Sequence, residues 1–350
     1  MSDDSTRAGR ATSYDVARLA GVSQSAVSRC FRDGASVSPD KRARVEAAAE
    51  RLGYAPNKIA RSLITRRSHI IGLLVTERTA RGYPDLLLEM DRAIQRSGNR
   101  MLLFTIADDA ALAAALADIL AYSLDGVIAG ITVPLAFLEA CARRQIPVVL
   151  YNRESPHAWA CSVGCADNAA WAGLATHLVE AGCRRVVFLG GPAGSSVAQD
   201  RLRGMQRAAE GLEIIAIRHT DFTYAGGHRE APALLQLRPD AIVCANDAMA
   251  LGVLDGCRAA PGIAISGYDN VPESAWPPYS LTTLAPPVSG LTKAAVALLG
   301  AKQDGAFMPG ERRLLRAKLM LRGSTAGCLA EGGDLVGAAG FEPTTLSPPD

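Results

Sequence analysis

The N-terminal part of the chain reads, over residues 12–29, TSYDVARLAGVSQSAVSR, and this stretch decides how the fold is interpreted. Ser13 can cap a first helix, and Gly21 stands where a helix ends in a left-handed residue. Ser23 can cap a second helix that runs to about Phe31. Two short helices joined by a glycine turn have the shape that fits the major groove of DNA.

The second helix carries polar side chains on its outer side, because Ala26 and Val27 can face the first helix. Gln and Arg can make paired hydrogen bonds to base edges, and Ser can donate to phosphates. The outer polar residues are Gln24, Ser25, Ser28 and Arg29. The pattern favours a DNA-reading helix, although a packing module or a protein-interaction head with a basic face shows the same amphipathic pattern.

A third helix begins at Ser38-Pro39, a cap followed by proline at the first helical position, and ends at Gly53. Three short helices give a very small core, so we expect this part to be only marginally stable alone. Residues 1–68 contain 13 Lys and Arg against 7 Asp and Glu, a net charge of +6, whereas the whole chain carries +2. A basic head on a mildly acidic body is typical of a nucleic-acid-binding arm.

The ordered run of residues over 12–75 resembles the N-terminal headpiece of the lactose-repressor/galactose-repressor (LacI/GalR) family of transcription factors. The matching runs are Asp15-Val-Ala-Arg-Leu-Ala-Gly-Val-Ser, Ala26-Val-Ser-Arg, Val37-Ser-Pro, Leu52-Gly-Tyr-Ala-Pro-Asn and Ala60-Arg-Ser-Leu. One run departs from the family, which more often has small aliphatic residues and Asn there: Cys30-Phe31-Arg32-Asp33. This departure leaves the operator sequence open.

The resemblance implies a role for each matching position of the headpiece. Bases in the major groove would be read by Gln24, Ser25 and Arg29. The DNA backbone would be contacted by Tyr14, Ser23 and Asn57.

Residues 57–64 match the hinge helix of the family, which orders on cognate DNA. Leu63 falls where a leucine wedges into the minor groove at the operator centre. Such a wedge trades base unstacking for a bent site that contacts more protein. An ordinary linker leucine is the alternative interpretation.

From residue 69 onward, short apolar runs alternate with amphipathic segments, beginning with Ile70-Ile-Gly-Leu-Leu-Val. Such alternation predicts parallel sheets with right-handed crossovers. A second set of alternating elements starts at residue 168 and closes with a strand over 313–321. The predicted fold class is an all-α helix-turn-helix headpiece plus a two-lobed α/β domain with two doubly wound parallel sheets. Ligands of such lobes bind at the carboxyl ends of the strands, in the crevice between them.

The resemblance continues more loosely over residues 69–325 and implies an effector domain similar to periplasmic sugar-binding proteins. It rests on runs such as Leu124-Asp-Gly-Val-Ile, Ile146-Pro-Val-Val-Leu-Tyr-Asn-Arg, Asp200-Arg-Leu-Arg-Gly, Pro239-Asp-Ala-Ile-Val-Cys-Ala-Asn-Asp and Gly267-Tyr-Asp. The chain would cross between the lobes near residues 155–162, 280–287 and 308–313. Residues 258–267 are shorter than the usual approach to the Gly-Tyr-Asp strand.

Effector contacts follow from the matching positions. Arg201 would clamp the ligand, Asp269 would accept from its hydroxyls or amines, and Phe222 would stack on it. Asn246 can donate and accept through its amide. The first lobe would contribute Arg78, Tyr83 and Asn152. With these side chains, the first expectation for the effector is a sugar or a sugar acid.

Each of these assignments has a plainer alternative. Asn246 and Asp247 could simply cap their helix. Arg78 could be a solvated loop charge, and Arg201 could be a surface helix residue.

Several classes of protein are disfavoured by the sequence. The N-terminus lacks a basic start followed by an apolar run, and no uninterrupted apolar stretch reaches about 18 residues. Eight Cys without CxxC spacing predict reduced thiols of a cytosolic protein. A metal site at His157, Cys161 and Cys165 is conceivable, but extended four-residue spacing converges three ligands poorly. The Gly-rich loop at 190–196 lacks the Lys-Ser/Thr of a P-loop, and no GxSxG elbow is present.

The prediction is therefore a cytosolic, ligand-responsive transcription regulator, a repressor rather than an enzyme, that acts as a homodimer on palindromic operator DNA. We expect no cofactor, no metal and no membrane partner. The predicted domains are a flexible N-terminus (1–12), the helix-turn-helix domain (13–56), the hinge (57–67), the effector and dimerisation domain (68–325) and a disordered tail (326–350). Lobe one would comprise about 68–158 and 286–309, and lobe two about 161–282 and 312–325.

Overall fold

The computed structural model describes residues 11–31, 36–55, 67–107, 109–154, 157–258, 262–302 and 305–328. Contacts between Cα atoms divide the chain into two units, Met1–His69 and Ile70–Asp350. Asn57, Leu63 and the predicted hinge 57–64 lie outside the described residues, as do residues 329–350 of the predicted tail. No helix in the described part of the chain is long and apolar enough to cross a membrane.

The described residues of the N-terminal unit form helices α1 (Ser13–Ala20), α2 (Gln24–Cys30) and α3 (Pro39–Arg51). The cap of α1 is Thr12, whose hydroxyl accepts the Asp15 N–H while the Asp15 carboxylate accepts the Thr12 N–H. This reciprocal capping box uses the residue before Ser13, so the predicted cap was wrong by one position. Gly21, at φ 64°, ends α1, and Ser23 caps α2 by accepting the Ala26 N–H.

Two arginines of α3 donate hydrogen bonds to the C-terminal ends of the other two helices. Arg44 Nε donates to the carbonyl oxygen of Ala20 at 3.1 Å, and Arg42 Nη1 donates to that of Cys30 at 2.6 Å. Terminal carbonyls of a helix have no intrahelical partner, so these bonds satisfy groups that would otherwise face water. They hold α1 and α2 at a fixed orientation around their small core.

The described strands of the second unit form two sheets of six strands. The first sheet has the order β11-β5-β4-β3-β1-β2, with β1 (Ile70–Thr76), β2 (Arg100–Ile106), β3 (Gly126–Ala129), β4 (Val148–Tyr151), β5 (Cys161–Ala166) and β11 (Arg312–Arg316). The second has the order β12-β10-β9-β8-β6-β7, with β6 (Arg185–Gly190), β7 (Glu213–His219), β8 (Ala241–Cys244), β9 (Ala264–Tyr268), β10 (Thr282–Ala285) and β12 (Lys318–Met320). The paired strands are parallel except for β12, which runs antiparallel along the edge of the second sheet.

Helices connect these strands within each lobe. Lobe one, built on the first sheet, has α4 (Glu77–Gly82), α5 (Pro84–Arg96), α6 (Asp109–Ala121), α7 (Leu135–Arg143) and α12 (Val288–Gly300). Lobe two, built on the second sheet, has α8 (Asn168–Glu180), α9 (Ser196–Ala208), α10 (Tyr224–Gln236) and α11 (Asp247–Gly256), with short 3₁₀ helices at Pro272–Ala275 and Gly323–Cys328. Residues 326–328, which the sequence analysis assigned to the tail, belong to the last of these helices.

The apolar runs read from the sequence are the buried strands. Strands β3, β4, β8 and β9 are buried along their whole length, as expected when helices cover both faces of a parallel sheet. In lobe two the core packs around Trp171 and Phe188, which are completely buried. Each lobe therefore has its own core, and the carboxyl ends of the strands remain available for a site.

Two of the three predicted crossings were wrong. The chain passes from the first sheet to the second between Ala166 and Asn168, and again between Arg316 and Lys318. The reason is that β5 and β11 pair with each other at the edge of the first sheet before the chain crosses. Segments 161–166 and 312–316 thus belong to lobe one, and the strand predicted over 313–321 is two strands in two sheets. The return crossing, between Ala285 and Val288, lies close to the predicted 280–287.

Helices α10 and α11 approach so closely that only glycine fits between them. A Cβ atom on Gly227 would lie 2.1 Å from the backbone oxygen of Met249, which cannot move without shifting α11. We expect Gly227→Ala to lower the free energy of unfolding by about 2 kcal/mol, in the range of overpacked cores. Urea unfolding followed by circular dichroism measures the change.

Gly300→Ala is the matched control, because a Cβ at the end of α12 meets nothing within 4 Å. We expect a change within about 0.5 kcal/mol for this variant. Equal unfolding free energies for the two variants would contradict the close approach of α10 and α11.

Candidate functional site

In the N-terminal unit, α2 presents the residues predicted to contact DNA. Ser25, Ser28 and Arg29 are exposed on this helix. Gln24 is half-buried, and its Nε2 donates to Ser13 Oγ at 3.3 Å. Tyr14 is 73% exposed, an unusual exposure for a large aromatic side chain. This arrangement leaves the outer side of α2 and the start of α1 open to a partner.

The run that departs from the family pattern begins inside the helical core. Cys30 is buried with Val16, Val27 and Val45. The ring of Phe31 lies 5.9 Å from that of Tyr54. These two side chains therefore support the packing of α2, and the described part of the departure does not add to its exposed face.

In the second unit, a cleft of about 390 Å³ lies between the lobes at the carboxyl ends of the strands. This volume is in the range of small-molecule sites. All seven residues predicted to bind the effector line this cleft: Arg78, Tyr83, Asn152, Arg201, Phe222, Asn246 and Asp269. The structure brings them together from both lobes, although whether they contact a ligand stays a prediction.

Asp269 is the polar centre of the cleft. Arg201 Nη2 donates to Asp269 Oδ1 at 2.6 Å, and Tyr83 Oη from the other lobe donates to Oδ2 at 2.6 Å. The guanidinium of Arg201 also donates to the Ala245 carbonyl and stacks over the Tyr268 ring, 3.9 Å from its centroid. Arg201 is only 7% exposed, so it is not a surface helix residue.

The electrostatics of this cluster follow from burial and from the Asp269 charge. Burial, and then the neighbouring carboxylate of Asp269, raise the pKa of the Tyr83 phenol well above its usual range. Burial alone would lower the pKa of Arg201, but Asp269, Tyr268 and Tyr83 together outweigh burial and raise that pKa. Tyr83 therefore stays a neutral donor, and Arg201 stays a cation.

Asn246 caps its helix, as the plainer alternative in the sequence analysis held, and its side chain also lines the cleft. Its Oδ1 accepts the Met249 N–H at 3.0 Å and so caps α11. Its Nδ2 donates to the Phe222 carbonyl at 3.0 Å and to Tyr83 Oη at 3.3 Å, across the lobes. The cap fixes the side chain, and the amide nitrogen links the two lobes through Tyr83.

The mouth of the cleft is formed by Arg78 and Phe222. Arg78 is exposed, yet its Nη1 donates to the Asp221 carbonyl of the opposite lobe at 2.9 Å. Its guanidinium lies 5.7 Å from the Phe222 ring centroid. Phe222 has a left-handed backbone (φ 62°), and its ring packs on Gly191, where a Cβ would overlap it. An aromatic wall with a cation beside it therefore faces the cleft.

Sequence reasoning missed two charged residues of this region. Arg153, directly after Asn152, lines the cleft and donates to groups on both lobes. Asp247, considered only as a cap, is completely buried behind Asp269. The signal for Arg153 was its place after a buried strand, where parallel strands deliver side chains to a shared edge.

Asp247 holds the turn that carries Asp269. Its Oδ2 accepts the Val271 N–H at 2.9 Å, and its Oδ1 accepts from Thr283 Oγ1 at 2.6 Å. The turn needs such support because Asp269 and Asn270 both have positive φ, 115° and 52°. Burial, and then the Asp269 charge, raise the pKa of Asp247 to about 7.

In the described part of the chain, no group of three or more His, Cys, Asp or Glu is arranged to hold a metal ion. Cys161 lies on β5, where its Sγ donates to the Met308 carbonyl at 3.3 Å. The cleft thus offers cations, hydroxyl and amide groups and an aromatic wall. With the headpiece, this defines a class of protein: a small-molecule-binding domain joined to a helix-turn-helix.

Comparisons with known proteins agree with this class. Residues 12–57 match the family model of bacterial regulatory proteins of the lacI family, and residues 175–325 match a periplasmic binding protein-like domain. The ribose operon repressor of Escherichia coli (strain K12) is 32% identical over 338 residues, covering 90% of this chain and 99% of the relative.

Solved structures show the same likeness. A crystal structure of the Lac repressor dimer bound to operator and the anti-inducer ONPF has a TM-score of 0.81 and 26% identity, covering 91% of this chain and 99% of that chain. The transcriptional regulator CelR–cellobiose complex has a TM-score of 0.65 and 27% identity, covering 90% and 100%. The chain therefore belongs to the lacI family of bacterial regulatory proteins. The family and the fold class expected from the sequence are confirmed.

Asp247 makes stability depend on pH in a definite direction. A carboxyl whose pKa is about 7 in the fold and near 3.8 when unfolded stabilises the protein fully only below pH 3.8. That contribution is lost as the pH rises through 7, because the buried group must then ionise. We expect Asp247→Asn, which can still accept from Val271, to raise the free energy of unfolding at pH 8 by on the order of 2 kcal/mol.

Urea unfolding at pH 5 and pH 8 checks this expectation. The gain should be smaller at pH 5, where Asp247 is protonated in the fold and only the unfolded state has lost that proton. A difference between variant and wild type that is the same at both pH values would show that Asp247 is not the titrating group.

Proposed function

We propose that this chain is a transcriptional repressor that binds a palindromic operator as a homodimer and changes its operator affinity when an effector occupies the cleft. The effector is a small hydroxylated molecule, a sugar or a sugar acid. The proposed DNA contacts are Tyr14, Ser23, Gln24, Ser25, Ser28 and Arg29, together with Asn57 and Leu63 beyond the described residues.

The observation that carries the proposal is the hydrogen-bonding set around Asp269. A carboxylate acceptor, a guanidinium, a phenol and an amide converge in one cleft, beside the Phe222 ring. Sugars present rows of hydroxyl groups that both donate and accept, and their C–H faces pack on aromatic rings. The names of the relatives agree, since they refer to a ribose operon, to an operator-bound dimer and to cellobiose.

The same hydrogen bonds provide a way to couple the cleft to the lobes. Tyr83 of lobe one bonds to Asp269 and Asn246 of lobe two, and Arg78 bonds to the Asp221 carbonyl. A ligand that inserts between these groups replaces bonds across the cleft with bonds to itself. It then favours the lobe arrangement to which it binds more tightly, and this difference in affinity is all that coupling to DNA requires.

The DNA-binding part of the proposal predicts a loss of sequence discrimination in Arg29→Ala. A guanidinium that pairs with a base edge contributes about 1–3 kcal/mol of discrimination, so specific affinity should fall by about tenfold or more. The operator is first selected from a random duplex library with the wild type. Fluorescence anisotropy then measures the affinity for selected and scrambled duplexes.

Arg51→Ala is the matched control, because Arg51 is an exposed arginine at the end of α3. We expect it to bind the selected and scrambled duplexes in the wild-type ratio. If Arg29→Ala lowered the affinity for both duplexes equally, Arg29 would contact only phosphates, and the base-reading role would be wrong.

The effector part of the proposal predicts that Asp269→Asn binds the effector more weakly than the wild type. A screen of sugars and sugar acids should yield a compound that raises the melting temperature of the wild type and changes its affinity for the selected duplex. Because Asp269→Asn loses a charged acceptor, its affinity for that compound should fall by about tenfold or more. Asp118→Asn, on the exposed side of α6, should respond like the wild type.

A further inference from the structure

We propose that the effector carries an anionic group, a carboxylate or a phosphate, and that Arg153 with the start of α9 forms the subsite that binds it. This inference rests on the proposed role of the cleft as the effector site. It narrows the ligand from hydroxylated molecules in general to sugar acids or sugar phosphates.

Arg153 bridges the two lobes at the floor of the cleft. Its Nη2 donates to the Gly130 carbonyl at 3.1 Å, and its Nη1 donates to Ser196 Oγ of lobe two at 2.9 Å. A longer contact of 3.5 Å joins Nη1 to Thr132 Oγ1. The Nε atom is buried and has no hydrogen-bond partner among the described residues. One donor of this guanidinium is thus unused in a side chain that lines the cleft.

Arg153 also lacks an ion-pair partner among the described residues, in contrast to Arg201. Arg201 is paired with Asp269 at 2.6 Å, whereas no carboxylate of the described residues lies within 4 Å of the Arg153 guanidinium. Burial lowers the pKa of Arg153, only partly opposed by Asp200. A guanidinium nevertheless remains protonated in proteins. A desolvated cation without an anion is costly, and a bound anion removes that cost.

The surroundings of Arg153 favour an anion as well. Ser196 is the first residue of α9, a helix of 13 residues, and Ser195 caps it. The N–H groups at a helix start attract negative charge. A polar cavity of about 360 Å³ adjoins the cleft, with Asn152, Arg153, Val197 and Arg201 lining both. In its lining, arginines outnumber carboxylates five to three.

The two halves of the cleft would then read different parts of one ligand. Asp269 is an acceptor and suits hydroxyl groups, while Arg153 is a donor and suits an acid group. A neutral sugar would leave the Arg153 cation without an anionic partner, whereas an acid group would form a charge-assisted hydrogen bond with it. The cleft therefore selects for a molecule with hydroxyl groups at one end and an anion at the other.

Small anions test the subsite without knowledge of the effector. Inorganic phosphate and acetate are titrated into the full-length wild type by isothermal calorimetry, at an ionic strength held constant with chloride. We expect at least one of them to bind. Arg153→Gln should lower the affinity for that anion by about tenfold or more, as for loss of a charge-assisted hydrogen bond. Binding of acetate alone would identify the group as a carboxylate, and binding of phosphate alone as a phosphate ester.

Two further variants keep the test decisive. Arg153→Lys retains the charge and should bind the anion more tightly than Arg153→Gln, even if the Gln variant is less stable. Arg143→Gln, which removes an exposed arginine of α7, should bind like the wild type. The inference is overturned if neither anion binds better than chloride, or if Arg153→Gln binds as tightly as the wild type.

The result of the anion-binding experiment can be distinguished from the result that tests the proposed function. If a neutral sugar changed the affinity for the selected duplex while no anion bound at Arg153, the repressor would stand and the anionic subsite would fall. If an anion bound at Arg153 while no DNA sequence was selected, the anionic subsite would stand and the repressor would fall.

Discussion

The Asp269 carboxylate is the point on which the ligand-binding part of this molecule depends. It is nearly buried, and such a charge persists only when it is paired and hydrogen-bonded. Arg201 neutralises it from its own lobe, and Tyr83 donates to it from the other. The same group therefore stabilises a fold, fixes two side chains of a cleft and links two lobes. A ligand that replaces the Tyr83 bond removes one of the links between the lobes.

A second acid, Asp247, supports the turn that carries Asp269, and burying its carboxyl group costs stability. Asp247 holds the left-handed turn at 269–270 through Val271, and it does so from a fully buried position. Buried like charges disfavour one another, so the pair is poorer for stability than a neutral arrangement. Strain and buried charge gathered behind a group that lines a cleft are expected where an organised site takes precedence over stability.

Much of the fold could be predicted from the sequence, because it depends on interactions between neighbouring residues. The glycine turn at Gly21, the cap at Ser23 and the apolar runs of β1 and β8 depend on neighbouring residues, so they could be read directly. The seven cleft residues came from resemblance, and the structure brings them to one cavity. Strand β5 was missed because its small side chains do not show a strand pattern, and its place in the sheet depends on pairing with β11, some 150 residues away. Arg153 and Asp247 were missed for a related reason: their partners lie on distant segments, so nothing beside them in the sequence marks a role.

The crossing at Ala317 has a consequence for how the protein is synthesised. Strand β11 completes the edge of the first sheet and β12 that of the second, and both lie between residues 312 and 320. A ribosome-bound chain that lacks these residues has two unfinished lobes, each with an open sheet edge exposed to pairing with other chains. Both sheets thus become complete only when residues 312–320 have left the ribosome.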